Sequence, residues 1–321
     1  MKENKKRIIF IAGILVILVF VVADGLDYIK INKSAKSGSA SEKAIGKKVE
    51  ILFLGDLMFD RYIRQVAQKK GNDFIFQNVA TVLVGHDLVV ANLEGPITDN
   101  PSISLTSKIG ERNNYYFTFD RDVADTLRKY GIGLVNLGNN HILNFGERGL
   151  DQTEQFLDTA RVNYFGDYRG NGKRFFAKEI NGVRIGFVNY NQFTANGSEN
   201  VLDDIVAARK ESDFVVVYAH WGTEYVTSPD DKIRNLAHEF IDKGAGLIIG
   251  SHPHVIQSNE EYRGKKIYYS LGNFIFDQYA EKNTTIGLGV VFDLDYPAMT
   301  TKFTEISLQM QSNGQTKLGT N

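Results

Sequence analysis

The chain has 321 residues, of which 43% are hydrophobic and 23% charged, a composition typical of a folded protein rather than a disordered one. Its net charge of -1 creates no general field that would attract nucleic acid, so we predict no nucleic-acid partner. The absence of cysteine excludes thiolate metal sites, disulfides and cysteine nucleophiles, so that any metal must be held by His, Asp, Glu or Asn.

The N-terminus is typical of a segment directed to a membrane. Residues 1–7 are basic, and an uninterrupted apolar run follows from Ile8 to Ala23. The run is shorter than the roughly 20 residues that span a bilayer untilted, but longer than the usual signal-peptide core of about 7 to 15. Val21 and Ala23 could precede a cleavage site, whereas apolar residues just beyond could extend the span. We predict a retained single-pass anchor over 8–29 in the cell membrane, with the basic tail cytoplasmic and the C-terminal domain extracellular; secretion after cleavage is the alternative.

The remainder of the chain predicts a tethered α/β domain. Residues 30–48 are polar and predict a flexible linker, residues 49–310 predict the domain, and residues 311–321 predict a frayed tail. Apolar runs that predict buried strands begin at Val49, Asp87, Gly133, Val183, Asp213, Leu247 and Lys266. Segments of helical period run from Asp122 to Tyr130, Glu147 to Arg161, Val201 to Lys210 and Asp230 to Lys243. This alternation favours a central, mostly buried sheet flanked by helices.

Two features of the later strands indicate antiparallel additions to that sheet. The Asn181-Gly182 dipeptide lies between two apolar runs, as in a tight hairpin, and the stretch IGLGVVFDLD closes the domain. We therefore expect a mixed sheet, with two stacked sheets as an open alternative.

Six of the seven predicted strands share a feature at their ends, where each is followed by a group that can bind metal or transfer a proton. These groups are Asp56, Asn92, Glu94, Asn140, His141, His220, His252, His254 and Asn273. Singly, each has a structural explanation, because an Asp after a strand is most often a turn or a helix cap and a histidine can simply pack. Together they are hard to explain as caps. Because sites in open α/β sheets form outside the carboxyl ends of strands, we expect them to face one crevice.

The sequence Ser-His-Pro-His contains the sharpest pair of candidate ligands. Pro253 fixes the backbone between His252 and His254 and would hold the two imidazoles in a set relation. A mixture of imidazole and oxygen ligands suits one or two divalent cations, such as manganese, iron, zinc or magnesium. Two such ions can activate a water for displacement at phosphorus, and the same centre could hydrolyse an amide.

Six motifs occur in the order seen in the poly-γ-glutamate capsule-synthesis family of CapA type: GDLMFDR, ANLEGPIT, LGNNHILNFG, HWGTEY, GSHPHV and YSLGNFIFD. The similarity covers nearly all of the chain from Glu50 to Phe276, and the N-terminal membrane segment is similar as well. That family resembles the calcineurin-like metallophosphoesterases. The resemblance implies a two-sheet α/β sandwich of mixed strands flanked by helices, with a dinuclear metal centre and, in this chain, one N-terminal transmembrane helix.

The resemblance also implies six metal ligands: Asp56, Glu94, Asn140, His220, His252 and His254. The first metal would be bound by Asp56 and His254, and Glu94 would take the place of the bridging carboxylate. The second metal would be completed by Asn140, His220 and His252.

Three further residues complete the site that the resemblance implies, and Arg61 is added because it lies beside a predicted site loop. His141 would be the general acid or would stabilise the transition state. Asn92 and Asn273 would support the ligands or contact substrate. Arg61 could pair with a carboxylate or phosphate of the substrate, with a solvated surface charge as the alternative.

Two positions depart from the pattern. The phosphoesterases have a histidine two residues after the first aspartate, and this chain has Met58, so the first metal lacks a ligand. The family often has an aspartate where this chain has Asn144, so His141 loses a supporting carboxylate. Neither change removes the predicted site.

The resemblance implies a role in the synthesis or export of poly-γ-glutamate or a similar anionic polymer, with the polymer or its synthase subunits as partners. One alternative is a non-catalytic assembly subunit that binds the polymer or the synthase. Another is an extracellular metallophosphoesterase or amidohydrolase unrelated to capsule. The sequence leaves open whether the predicted site is catalytic.

Overall fold

The computed structural model describes residues 46–166, 169, 175–194 and 197–319. Contacts group this part of the chain into one unit that begins at Gly46. Residues 1–45, which include the predicted basic tail, the membrane anchor and most of the linker, lie outside the described residues. Within the described ranges, no helix is both long enough and apolar enough to cross a membrane.

The described strands are β1 (Lys47–Leu57), β2 (Leu88–Leu93), β3 (Ile132–Asn136), β4 (Asn163–Phe165), β5 (Phe175–Ile180), β6 (Val183–Asn191), β7 (Phe214–His220), β8 (Leu247–Ser251), β9 (Asn259–Tyr262), β10 (Lys265–Tyr268), β11 (Asn273–Ile275), β12 (Ile286–Tyr296), β13 (Thr300–Met310) and β14 (Thr316–Leu318). The described α-helices are α1 (Arg61–Lys70), α2 (Asn72–Phe76), α3 (Asp122–Lys129), α4 (Gly146–Ala160), α5 (Gly197–Glu211) and α6 (Asp231–Asp242). Short 3-10 helices cover Ser104–Thr106, Arg112–Tyr115 and Lys282–Thr285.

The strands form two mixed sheets. In the first, the order is β14-β13-β12-β1-β2-β3-β4, with β11 beside β1; β1 to β4 and β11 run parallel, and β12 to β14 are added antiparallel. In the second, the order is β5-β6-β7-β8-β10-β9, with a parallel centre and antiparallel edges. The predicted α/β class, the mixed pairing and the hairpin at Asn181-Gly182 are confirmed.

Three apolar clusters show how the layers stack. The middle cluster joins the inner faces of both sheets and includes Ile51 and Phe53 of β1 with Phe187 of β6. Successive residues of a strand point to opposite faces, so Leu52 and Leu54 of β1 lie in the cluster that packs α1, α3 and α4 on the first sheet. A third cluster packs α5 and α6 on the second sheet. The result is a two-sheet sandwich with helices on both outer faces.

The run that begins at Lys266, predicted as one strand, contributes to both sheets. Its first part is β10 in the second sheet, and after an irregular segment it continues as β11, which pairs with β1 in the first. The crossing brings backbones into close approach, because a Cβ at Gly55 would lie 1.8 Å from the carbonyl oxygen of Gly272. This crossing delivers Asn273 to the same edge of the sandwich as Asp56.

The prediction of a frayed tail over 311–321 is wrong for most of that segment. A turn at Gly314, with φ of 91°, reverses the chain so that β14 pairs antiparallel with β13. Gln315 is buried and donates to the carbonyl oxygen of Phe74 at 2.9 Å, which ties the segment to α2. Residues 320 and 321 lie outside the described residues.

Candidate metal centre

Strand register brings the predicted polar residues to one edge of the sandwich. Asp56 of β1 is paired with Asn92 of β2 and with Asn273 of β11, and His220 of β7 is paired with Ser251 of β8. The two sheets meet there, since the Nδ2 of Asn92 lies 3.3 Å from the Nδ1 of His220. The expected convergence of strand ends on one crevice is confirmed.

A pair of fully buried carboxylates lies at the bottom of this crevice. Asn92 bridges them, because its amide group donates to Asp56 Oδ1 at 2.8 Å and to Glu94 Oε2 at 3.3 Å. Burial, followed by the nearby charge of Asp56, raises the pKa of Glu94 well above its ordinary value. Two carboxylates held this close in a dry site repel one another, so a cation placed between them would be strongly favoured.

His220 and Asn140 lie above that pair. The Nε2 of His220 is 2.8 Å from Asn140 Oδ1, and its Nδ1 is 3.0 Å from Ser251 Oγ. Burial lowers the pKa of His220 well below its ordinary value, and the neighbouring imidazoles lower it further. The ring is therefore neutral near pH 7, which is the form that binds metal.

The His-Pro-His loop after β8 carries two imidazoles into the crevice in an uncommon backbone conformation. His252 has φ of 94° and His254 has φ of 58°, a region that non-glycine residues rarely adopt and that clusters at functional sites. The backbone N–H of His252 donates to Asp56 Oδ2 at 3.2 Å, which ties the loop to β1. The Nδ1 of His254 is 2.9 Å from Asn273 Oδ1, and its Nε2 is 3.4 Å from Glu94 Oε1. Asn273 thus orients the ring so that its other nitrogen faces Glu94.

His141 lies at the rim of the crevice and is oriented by Asn144. Its Nδ1 is 3.2 Å from Asn144 Oδ1, and its Nε2 is 3.9 Å from Glu94 Oε1. The ring packs on Phe117, with centroids 4.4 Å apart. Burial lowers the pKa of His141 to about 4. Its Nε2 can therefore accept a proton and return it within reach of whatever binds at Glu94.

The centre fits divalent metal on three observations. Glu94 Oε1 and His252 Nδ1 are buried and, among the described residues, have no hydrogen-bond partner, which is uncommon for buried polar atoms. Asp56, Glu94 and His220 offer ligand atoms that all lie within 4.8 Å of one another. Burial lowers the pKa of His252 to about 3, so this imidazole does not neutralise the carboxylates itself. Neutral imidazoles beside buried carboxylates form a donor set that suits a divalent cation.

Nine of the ten predicted site residues lie within the centre, and the tenth lies beside it. Nine of them contact one another directly or through a single shared partner: Asp56, Asn92, Glu94, Asn140, His141, His220, His252, His254 and Asn273. His252 lies between two of the imidazoles, with ring centroids 4.8 Å from His220 and 6.0 Å from His254. The division of ligands between two metals that the resemblance implies stays a prediction.

Arg61, the tenth residue, contacts the centre through two aromatic rings. It is buried, forms an ion pair with Asp277 and donates to Asn114 Oδ1 at 3.2 Å. Its guanidinium lies over Phe117 and Phe276, at 5.0 and 5.4 Å from the ring centroids. The alternative of a solvated surface charge is wrong, because the side chain is enclosed between aromatic rings that also pack on the imidazoles of the centre.

A cavity of about 340 Å³ adjoins the centre on the side of Arg61. Four tyrosines contribute to its lining: Tyr62, Tyr115, Tyr225 and Tyr279. Polar side chains, including Asn114 and Gln278, are set between them. Gln278 links the cavity to the centre, since it accepts from Asn273 at 3.1 Å and donates to the hydroxyl of Tyr225 at 3.2 Å.

Sequence reasoning missed two residues beside the centre. Asn144, named only as a departure from the family pattern, orients His141 and also accepts from the backbone of Phe117 at 2.8 Å. Glu224 offers a ligand atom within 4.8 Å of those of His252 and His254. It lies in the motif HWGTEY, of which only His220 was predicted to belong to the site.

The fold and the centre define a class of protein. It is an α/β two-sheet sandwich in which the ends of parallel strands carry a buried set of imidazoles and carboxylates suited to divalent metal. The chain belongs to the family described as Bacterial capsule synthesis protein PGA_cap, whose model matches residues 50–278. The family predicted from the six motifs is confirmed.

Two curated relatives have capsule names. The PGA biosynthesis protein CapA of Bacillus subtilis (strain 168) is 32% identical over 246 residues, which cover 70% of this chain and 63% of that protein. The Capsule biosynthesis protein CapA of Bacillus anthracis is 29% identical over 254 residues, which cover 72% of this chain and 61% of that protein. The chain therefore spans less than two thirds of the length of either relative.

Among solved structures, the crystal structure of TT1561 of Thermus thermophilus aligns with a TM-score of 0.44 and 10% sequence identity. The alignment covers 80% of this chain and 98% of that one. A likeness of this size supports no argument about the function or about individual residues.

Proposed function

We propose that the protein acts in the synthesis or export of poly-γ-glutamate or a similar anionic capsule polymer, through metal-dependent hydrolysis at the centre. Membership of the capsule-synthesis family supports a role in the synthesis or export of this polymer. The observation that carries the hydrolytic part is the unpartnered state, within the described part of the chain, of two buried ligand atoms, Glu94 Oε1 and His252 Nδ1. A centre that served only to hold the fold would have these atoms paired.

The residues that would hold divalent ions are the predicted ligands, and His141 would move the proton. Bound ions would supply a Lewis acid and an activated water, which act equally on an amide or a phosphoester. Asn144 accepts from the Nδ1 of His141, which leaves the Nε2 to take a proton from the attacking group or to give one to the leaving group. The low pKa of His141, caused by burial, keeps the imidazole neutral near pH 7, so its Nε2 carries a free lone pair.

The cavity beside Arg61 would hold the substrate next to the centre. Its tyrosines can cover the methylene groups of a polyamide, while Asn114 and Gln278 can hydrogen-bond to the amide groups of the chain. Arg61 could pair with one carboxylate, although its ion pair with Asp277 already balances its charge. This lining favours a γ-glutamyl amide over a phosphoester of high charge density.

We also propose that residues 8–29 anchor the protein in the cell membrane, with the domain outside, where it would meet the polymer or the synthase subunits. The chain has no cysteine, so a single introduced cysteine reports the side of the membrane on which it lies. In intact cells we expect a membrane-impermeant maleimide to label Ser258→Cys, an exposed position, and to label Asn4→Cys only after permeabilisation. Labelling of both variants only after permeabilisation would overturn the proposed orientation.

Hydrolysis is tested with the full-length protein, purified and analysed for metal content, on γ-glutamyl peptides and on phosphoesters. We expect His141→Ala to retain metal and to lose at least about a hundredfold in turnover, because it removes the group that transfers the proton. His238→Ala is the matched control, because His238 forms a partly buried pair with Glu260 and lies outside the centre. Full polymer production in cells by the His141→Ala variant would refute the catalytic proposal and favour a non-catalytic assembly subunit. Turnover of phosphoesters alone would favour a phosphoesterase unrelated to capsule.

A further inference from the structure

The loop after β7 brings a third carboxylate to the centre. Glu224, His252 and His254 each offer a ligand atom, and all of these atoms lie within 4.8 Å of one another. A half-buried glutamate beside two buried imidazoles is the arrangement of a metal ligand rather than of a surface charge.

The loop is fixed against the histidine loop by its backbone. The backbone N–H of Tyr225, which has φ of 66°, donates to the carbonyl oxygen of Pro253 at 2.8 Å. The backbone N–H of Gly222 donates to the side chain of Gln192 at 2.8 Å. Hydrogen bonds on both sides of Glu224 therefore hold the carboxylate beside the histidine pair, and little ordering remains to be done when a ligand binds.

Met58 explains why a further ligand is needed. It occupies the position at which the resemblance to the phosphoesterases implies a histidine ligand, and its side chain is fully buried. Its sulfur accepts from the backbone N–H of Asp60 at 3.0 Å, so this atom is already engaged in the turn that follows β1. The imidazole most in need of a partner is His252, whose Nδ1 is buried and unpaired as far as the described chain extends.

We propose that Glu224 binds a divalent cation together with His252 and His254, and so supplies the ligand that Met58 does not provide. The metal set of this chain would then have three carboxylates, Asp56, Glu94 and Glu224, and the loss of one imidazole ligand would be compensated by a charged oxygen. Such a change favours harder cations, because carboxylates suit magnesium and manganese better than imidazoles do. This inference rests on the proposed metal-dependent function.

The test is a calorimetric titration of the full-length, metal-free protein with Zn²⁺, which binds both imidazole and carboxylate. We expect Glu224→Gln to weaken the binding of one Zn²⁺ at least about tenfold, because the amide is a neutral and poorer ligand. Glu224→His, which restores a ligand of another type, should recover most of the affinity. Glu179→Gln is the matched control, since Glu179 is an exposed glutamate of β5 that lines neither the centre nor the neighbouring cavity.

Thermal unfolding of each metal-free variant shows whether the substitution has changed the fold rather than the site. If the wild type binds Zn²⁺ and Glu224→Gln binds it with unchanged affinity and stoichiometry, Glu224 is no ligand and the inference is overturned, while the proposed hydrolysis stands. If the wild type binds neither Zn²⁺ nor, in a parallel titration, Mn²⁺, the metal-dependent function fails and the inference fails with it. The two failures are therefore distinguishable in one set of titrations.

Discussion

Two buried polar clusters lie near the end of β1, and they differ in how completely their atoms are paired. One is the candidate metal centre around Glu94. The other surrounds Asp60, which caps α1 and is fully buried. Asp60 Oδ1 accepts from Arg64 Nε at 3.0 Å and from Ser102 Oγ at 2.6 Å, and its Oδ2 accepts from the backbone of Thr118 at 2.9 Å. Both oxygens of Asp60 are satisfied by protein groups.

In the candidate metal centre, by contrast, Glu94 Oε1 and His252 Nδ1 have no hydrogen-bond partner within the part of the chain that the structure describes. Both clusters have acidic residues near the end of the same strand, so composition alone does not distinguish them. They differ in whether all of their polar atoms are hydrogen-bonded within the protein. In a cluster that only stabilises the fold, the buried polar atoms are hydrogen-bonded to one another. In a cluster that binds a ligand, some of these atoms stay free to contact the ligand.

The largest expected effect comes from disrupting the cluster around Asp60, which we call the closed cluster because both carboxylate oxygens are hydrogen-bonded within the protein. Asp60→Ala leaves the guanidinium of Arg64 buried with only Asp120, which is half exposed, as an acidic partner, and removes the cap of α1. We expect the free energy of unfolding to fall by about 3 to 5 kcal/mol, as when one member of a buried ion pair is removed. Chemical denaturation measures it.

Asp73→Ala is the control for that experiment, because Asp73 pairs with Lys129 on the surface. It should leave the unfolding midpoint almost unchanged. If Asp60→Ala is as stable as Asp73→Ala, the closed cluster does not stabilise the fold and the comparison fails.

The candidate metal centre, which we call the open cluster, should affect stability mainly through a bound cation. His252→Ala should leave the metal-free protein nearly as stable as the wild type, because the Nδ1 of His252 has no hydrogen bond to lose within the described residues. A cation at a hundred times its dissociation constant should stabilise the wild type by about 2.7 kcal/mol, and the variant by much less. Thermal unfolding with and without Mn²⁺ measures the difference. His86→Ala, which removes a histidine paired with Glu50, is the control.

The pH dependence of the metal-free protein should also mark the open cluster. Burial lowers the pKa of His141, His220 and His252, so these rings bind protons in the unfolded chain near pH 6 but not in the folded one. Their contribution to stability is present above about pH 6.5 and is lost as the pH falls toward 4, by up to about 1.4 kcal/mol per pH unit for each ring. The raised pKa of Glu94 acts the other way, since its contribution is present below about pH 4.5 and is lost as the pH rises.

Because three imidazoles oppose one carboxyl, we expect the free energy of unfolding to fall on acidification from about pH 6.5 to about pH 4.5. Denaturation series at several pH values measure the slope. His252→Ala removes one of the three rings, so its slope should be shallower than that of the wild type. An equal slope in the two proteins would contradict the assignment of a neutral, buried imidazole at this position.

Most of the fold and nearly all of the centre could be predicted from the sequence, for a physical reason. Buried parallel strands are continuous apolar runs, so the first polar residue after each run marks its carboxyl end, as Asp56 and His220 do. Helix α1 was missed because its apolar residues, Ile63 and Val66, are few and follow the strand directly. Strand β14 was missed because an Asn-Gly turn in a polar segment was not recognised as a hairpin signal.

Pairing and loop geometry could not be predicted in the same way. Glu224 lies four residues after the end of β7, and only the fold of the loop places it beside the histidine pair. Arg61 and Arg64 both lie in the first turn of α1, yet Arg64 closes the Asp60 cluster while Arg61 lies beside the cavity. Which polar residue becomes structural and which stays free depends on contacts between segments far apart in the chain.

The smallest expected effect concerns the residue that orients His141. Asn144→Asp replaces a neutral acceptor by a charged one at the Nδ1 of His141, and so should raise the pKa of this imidazole above its value of about 4 in the wild type. Asn144→Ala removes the acceptor and should lower the pKa further, with a stability loss of about 1 kcal/mol because the backbone of Phe117 also loses its partner. NMR titration of the metal-free variants measures both shifts. Shifts in the same direction would mean that Asn144 does not control the proton of His141, and that the open cluster is tuned by burial alone.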